Sequence, residues 1–205
     1  MHKCVSIALA EVGYLEKETP EQLDDKLSNP GDENYTKYAR DMHAHLGFYL
    51  GSKQGFPWCD VFVDWCFVQA YGVIAARKLL CQPILSRGAG CRYSYGYFES
   101  SGRIVHEPQE GDQIFFRRSG SICHTGLVTR VENGRVHTVE GNTSGEEGII
   151  PNGGCVAQKS YALDDPGIAG YGRPDYSLVG ETSLHEAPVA GAVLDAAGDP
   201  AQGRR

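Results

Sequence analysis

The chain has 205 residues, of which 41% are hydrophobic and 22% charged, with a formal net charge of −7. That is enough apolar material for one domain with a full core. The acidic balance, with no Lys/Arg cluster to offset it, excludes nucleic-acid binding through a general basic field.

Seven cysteines, at positions 4, 59, 66, 81, 91, 123 and 155, are odd in number and irregular in spacing. They read as reduced thiols and not as a disulfide framework. The 26 glycines and 11 tyrosines suit a loop-rich, partly β structure with an aromatic groove.

In chain order, the apolar stretch behind Met1 ends at Glu11, too short for a signal-peptide core, so the expectation is no signal peptide and a first amphipathic helix over residues 3–17. No run is expected to cross a membrane. Residues 19–34 are polar and turn-rich. A short helix is expected over 35–45, with Tyr35, Tyr38 and Met42 on one side. Gly55-Phe56-Pro57 resists helix, and from Asp60 the apolar residues Val61, Phe62, Trp65 and Val68 recur with helical spacing up to Tyr71-Gly72, where the glycine supplies a stop. A second helical piece follows over 73–80. Residues 88–98 gather Tyr93, Tyr95, Tyr97 and Phe98; with Trp58, these could line a groove, and Trp58 and Tyr95 are the substrate-contact candidates.

Beyond Gly111-Asp112 the character changes to strand. Residues 113–117, 125–131, 135–140 and 156–161 are short runs bounded by turns. Helices before antiparallel strands indicate an α+β fold. The core is expected to close near 170–176, giving a domain over 1–177. Residues 178–205, dominated by Ala, Gly, Pro and acids, are expected to be a disordered tail or linker stub.

The chemistry begins at Cys59, which opens an apolar helix. Unpaired backbone N–H groups and the positive end of the helix dipole favour thiolate there and can hold an oxyanion. His124 starts one strand, and Glu140 and Asn142 end the next. The hairpin between them decides whether they meet. A two-residue Asn133-Gly134 loop would put His124 and Glu140 on opposite faces. A three-residue Glu132-Asn133-Gly134 loop would set His124 opposite Asn142, with Glu140 one diagonal step away on the same face. The three-residue register is expected, since thiol acyl transfer needs a base and a group that fixes its tautomer. Cys66 reads as buried packing, two turns deeper on the Cys59 helix. Cys123 is expected on the far sheet face from His124. No close ligand pair supports zinc.

Trp-Cys-Asp-Val-Phe-Val-Asp-Trp-Cys (58–66), Glu-Gly-Asp-Gln-Ile-Phe-Phe (110–116), His-Thr-Gly-Leu-Val (124–128) and Glu-Gly-Asn-Thr (140–143) together resemble the CHAP domain over roughly residues 50–175. CHAP domains are cysteine, histidine-dependent amidohydrolases/peptidases, a papain-like branch related to NlpC/P60 and found in phage endolysins and bacterial cell-wall hydrolases. The resemblance implies Cys59 as nucleophile, His124 as general base, Glu140 and Asn142 as orienting residues, and peptidoglycan as substrate. The bond cut would be muramoyl–alanine or one within the stem or cross-bridge. Some CHAP enzymes carry a structural calcium; Asp24, Asp25, Asp32 and Glu33 are acidic here but form no Asp-x-Asp ligand loop, so no metal or organic cofactor is expected.

With no signal peptide, the setting expected is an endolysin, monomeric, held in the host cytoplasm until it is released to the wall. The alternatives are a non-catalytic wall-binding module and a thiol acyltransferase of transglutaminase type.

Overall fold

A computed structural model of the protein describes residues 1–84 and 88–181. The fold is α+β and papain-like in layout: four helices, followed by a six-stranded antiparallel sheet in the order β1-β6-β2-β3-β4-β5. The helices are α1 (Lys3–Ala10), α2 (Lys37–Arg40), α3 (Cys59–Leu79) and α4 (Cys91–Ser100). The strands are β1 (Ile104–Val105), β2 (Gln113–Arg118), β3 (Ser121–Glu132), β4 (Arg135–Thr143), β5 (Cys155–Ala162) and β6 (Ile168–Gly172).

Helix α3 is the axis of the core. Val61, Phe62, Val63, Cys66 and Phe67 are fully buried, because α1, α2 and the sheet surround the first half of the helix. Its second half has an exposed side at Gln69, Ile74 and Lys78. Cys66 is packing, as its position two turns into this helix implies. By length and composition alone, α3 could cross a membrane, contrary to the expectation that no run could. Its apolar window is mostly buried inside the protein. Gly72 also leaves helical geometry (φ 76, ψ 163), which breaks the helix where the sequence placed a stop.

Alternation along the strands separates two clusters. Phe115, Leu127 and Val139 pack with α3. Ile114, Phe116, Val128, Val136, Tyr161 and Tyr171 form a second cluster, on the opposite face.

Several elements differ from the sequence reading. Helix α1 stops at Ala10 and not at 17: Gly13 turns the chain (φ 89), and Leu15 and Lys17 make isolated bridges to Cys155, Pro30 and Tyr35. The 35–45 helix is a short α-turn capped by Thr36, which runs into a π-helical turn at Asp41–His45. The Gly- and Tyr-rich segment is helix α4. The short strands β1 and β6 had no periodic signal, and β6 completes the sheet by inserting between β1 and β2. Ordered structure continues past 177, through a 3-10 turn at Tyr176–Val179 to Glu181. The rest of the tail expected over 178–205 lies outside the described residues.

Candidate active site

The hairpin reaches the expected register by an unexpected route. Glu132 pairs with Arg135, so the loop has two residues, with Asn133 (φ 51) and Gly134 (φ 73) both left-handed. The expected three-residue loop is therefore corrected. Taken alone, this turn would send His124 and Glu140 to opposite faces. A bulge prevents it: Arg130 pairs with His137 but Val128 with Thr138, so Thr129 is one extra residue on β3. The pairing shifts by one, and His124 and Glu140 share a face.

The contact follows. His124 Nε2 lies 2.9 Å from Glu140 Oε2, and both side chains are fully buried. Glu140 also accepts from Thr138 Oγ1 at 2.6 Å and from the Tyr161 hydroxyl at 3.2 Å. Gly126 makes this possible, since a Cβ there would come 2.4 Å from Glu140 Cγ. A carboxylate accepting at Nε2 puts the ring proton on that atom and leaves Nδ1 as a bare acceptor. Nδ1 is buried without a hydrogen-bond partner. Phe116, directly opposite on β2, stacks on the ring at 5.9 Å.

Asn142 sits in the left-handed region (φ 54) at a bulge of β4. Its Nδ2 donates to the Pro151 carbonyl at 3.5 Å, and its Oδ1 is unpartnered. It holds the 151 loop, and no hydrogen bond ties it to the imidazole; Glu140 alone orients His124.

Cys59 is the first residue of α3, and the preceding Trp58 caps the helix with no side-chain hydrogen bond. Its thiol is pushed well above the ordinary value, by its contact with Cys91 first, then by burial and by Asp60; only the Asp60 N–H acts the other way. Burial, Cys91 and Asp60 thus act against the thiolate that the helix start was expected to favour. Asp60, itself buried, accepts from Ser94 Oγ at 2.8 Å and from Gln113 Nε2 at 3.0 Å. Burial raises its carboxyl to about 6.

Cys59 opens onto a cavity of about 760 Å³, lined by Leu50, Phe56, Tyr93, Cys91, Cys123 and Pro151 among others. Leu50, Phe56 and Tyr93 are exposed at its rim. Trp58, a substrate-contact candidate, does not reach it. The indole is fully buried, stacks on Tyr38 at 5.5 Å and donates to Glu16 at 2.6 Å. Tyr95 is also displaced from the cavity: it packs edge-on against Phe115 at 5.4 Å. The helical turn of α4 presents Tyr93 instead, a distinction that needed the helix to be recognised. Cys123 lines the Cys59 cavity, which His124 does not. It is the extra residue between the Phe116–His124 and Arg117–Ile122 pairs, and this bulge brings it to the cavity.

The acidic segment is engaged internally. Asp24 pairs with Arg40, and Asp25 accepts from the Leu27 and Ser28 N–H groups. Among the described residues, no group of three or more His, Cys, Asp or Glu is placed to hold a metal ion.

A thiol at a helix start, and a strand histidine held by a buried carboxylate, are the components of a papain-like cysteine hydrolase. Residues 51–142 match the family model of the CHAP domain, a segment that includes Cys59, His124, Glu140 and Asn142. That segment is similar to the CHAP domain. The family is in general one of cysteine- and histidine-dependent amidohydrolases and peptidases acting on peptidoglycan. No curated protein matches the chain.

Proposed function

We propose that the protein hydrolyses an amide bond of peptidoglycan, as an N-acetylmuramoyl-L-alanine amidase or a stem or cross-bridge endopeptidase, with Cys59 as nucleophile and His124 as base. The observation that carries this reading is the state of His124: Nε2 is held by Glu140, while Nδ1 is an unpartnered acceptor. A buried imidazole nitrogen without a partner costs stability unless it serves as an acceptor during function. In this arrangement the thiol leans on Cys91. Hydrogen bonds between nucleophile and base often tighten only when substrate is bound.

In this structure His124 lies on the Phe116 face of the sheet and does not line the Cys59 cavity. The step therefore requires the thiol to leave Cys91 and the ring to turn Nδ1 to meet it. The thiol then gives up its proton, and the thiolate attacks the scissile carbonyl. The imidazolium formed in this step is held by its hydrogen bond to Glu140. The N–H groups at the start of α3, which no cap side chain occupies, accept the oxyanion. His124 returns the proton to the leaving amine, and water then releases the acyl group. The exposed rim of Leu50, Phe56 and Tyr93 supplies an apolar contact surface for the substrate beside the sulfur.

The test is digestion of purified walls with mass spectrometry of the fragments. Wild type should release new amino groups, at a position that identifies the bond. Cys59→Ala should release none while keeping its melting transition, His124→Gln should release none, and Cys66→Ser should retain hydrolysis. Hydrolysis by Cys59→Ala at the wild-type rate would overturn the proposal. Amine incorporation without hydrolysis would point instead to an acyltransferase.

A further inference from the structure

Two helix starts converge on the cavity, and each carries a thiol. Cys59 opens α3 and Cys91 opens α4. Both line the cavity, and Cys91 is the neighbour that acts most strongly on the Cys59 thiol. Asp60 locks the two helix starts together. Its carboxylate accepts from Ser94 Oγ at 2.8 Å and from the Gly90 N–H, the residue immediately before Cys91. Both thiols are free, and Cys91 is partly exposed where Cys59 is buried. The hydrolytic chemistry gives Cys91 no task, and ordinary packing would place an apolar side chain there more readily than a second thiol against the first.

We propose that Cys59 and Cys91 form a reversible redox pair, with Cys91 as the resolving thiol that closes an intramolecular disulfide on Cys59. The bond itself follows from the two thiols. Its effect on hydrolysis rests on the reading of Cys59 as nucleophile. The oxidant class that fits is a low-molecular-weight disulfide. The Cys59 thiolate attacks one of its sulfurs and expels the other as a thiolate, leaving a mixed disulfide. The Cys91 thiolate then attacks the Cys59 sulfur and expels the second small thiolate. The protein loses two electrons and two protons in total, and the small disulfide leaves as two thiols. A dithiol reductant reverses both steps.

Both thiols face one cavity from helix starts that the Asp60–Ser94 hydrogen bond holds together, which is where a disulfide between them would close. A nucleophilic thiol without such a neighbour is open to irreversible oxidation to the sulfinic acid, whereas closure on Cys91 stops at a recoverable state.

The experiment uses the full chain, reduced and desalted, then exposed to oxidised glutathione and alkylated before non-reducing peptide mapping. The expected product joins the Cys59 and Cys91 peptides, with wall hydrolysis lost and then restored by dithiothreitol. In Cys91→Ser, Cys59 should stop at the glutathione adduct. Hydrogen peroxide should then inactivate this variant, measured against its own reduced activity, in a way that dithiothreitol does not restore. A wild-type adduct on Cys59 with Cys91 still alkylated, or a Cys59–Cys123 bond, would overturn the pairing. If the Cys59–Cys91 bond forms and hydrolysis is unchanged, the pair stands and the role of Cys59 in hydrolysis falls.

Discussion

Asp60 is the residue on which charge, packing and chemistry meet. It is buried beside the Cys59 thiol, and burial raises its carboxyl from 3.8 to about 6 against the opposing hydrogen bonds of Ser94, Gln113 and Gly90. Between those two values the folded chain holds a proton that the unfolded chain has lost. The stabilisation from this group is therefore present below about pH 4 and is lost as the pH rises through about 6. The full span corresponds to about 3 kcal/mol. Asp60→Asn keeps the shape and removes the titration. Urea unfolding at intervals from about pH 4 to pH 7 should show wild type losing stability relative to the variant by an amount of that order. A difference between the two proteins that stays flat across this range would show that the carboxyl is not perturbed. The ionised carboxylate also raises the Cys59 thiol, so the variant should react faster with iodoacetamide near neutral pH.

At the scale of elements, the β3–β4 hairpin sets the geometry of the histidine. The Asn133-Gly134 turn and the His124–Glu140 contact conflict in a regular ladder, and Thr129 resolves the conflict by stepping out of it. Thr129 is then a spacer whose presence the register does not require. Deleting it should leave Val128 opposite Thr138 and Arg130 opposite His137, now in an unbroken ladder. The expected cost is about 1–2 kcal/mol, for the lost Thr129 hydrogen bond to the His137 carbonyl and for altered twist. Wall hydrolysis should survive in the deletion. A folded deletion variant with no hydrolysis would show that the bulge aims His124 and does not merely set its register. Gly141 works at the same scale. A Cβ there would come 2.6 Å from Phe62 and 2.7 Å from Trp58, so glycine lets β4 close on the start of α3, next to Cys59.

Across the whole molecule, the two ends of the described chain meet over α3. Glu181 accepts from the Tyr71 hydroxyl at 2.8 Å and pairs with His2 Nδ1 at 2.9 Å, and His2 stacks on Tyr176 at 3.6 Å. The contacts of the domain therefore continue past 177, to Glu181. A chain ending at Val179 should melt a few degrees below one ending at Glu181, since about 1–2 kcal/mol of charge-assisted hydrogen bonding is lost. Equal melting temperatures would show that the clasp contributes nothing.

The sequence by itself determined the parts that depend on local pattern. The α3 periodicity and its stop at Gly72, the strands β2 to β5, the placement of Cys59 at a helix start, and the motifs shared with the CHAP family were all legible, because each is written within a short window. The face shared by His124 and Glu140 was reached through the wrong turn. A bulge is one residue without a compositional mark, and only cross-strand pairing reveals it. The tertiary structure alone decided which aromatics line the cavity. Trp58 is drawn inward by Glu16 and Tyr38, while Tyr93 is turned outward on a helix that a Gly- and Tyr-rich segment did not announce. It also decided the state of Cys59. A dipole can be read from a helix start, but the burial and the Cys91 thiol that act against it come from a segment about thirty residues away, brought in when Asp60 ties α4 to α3.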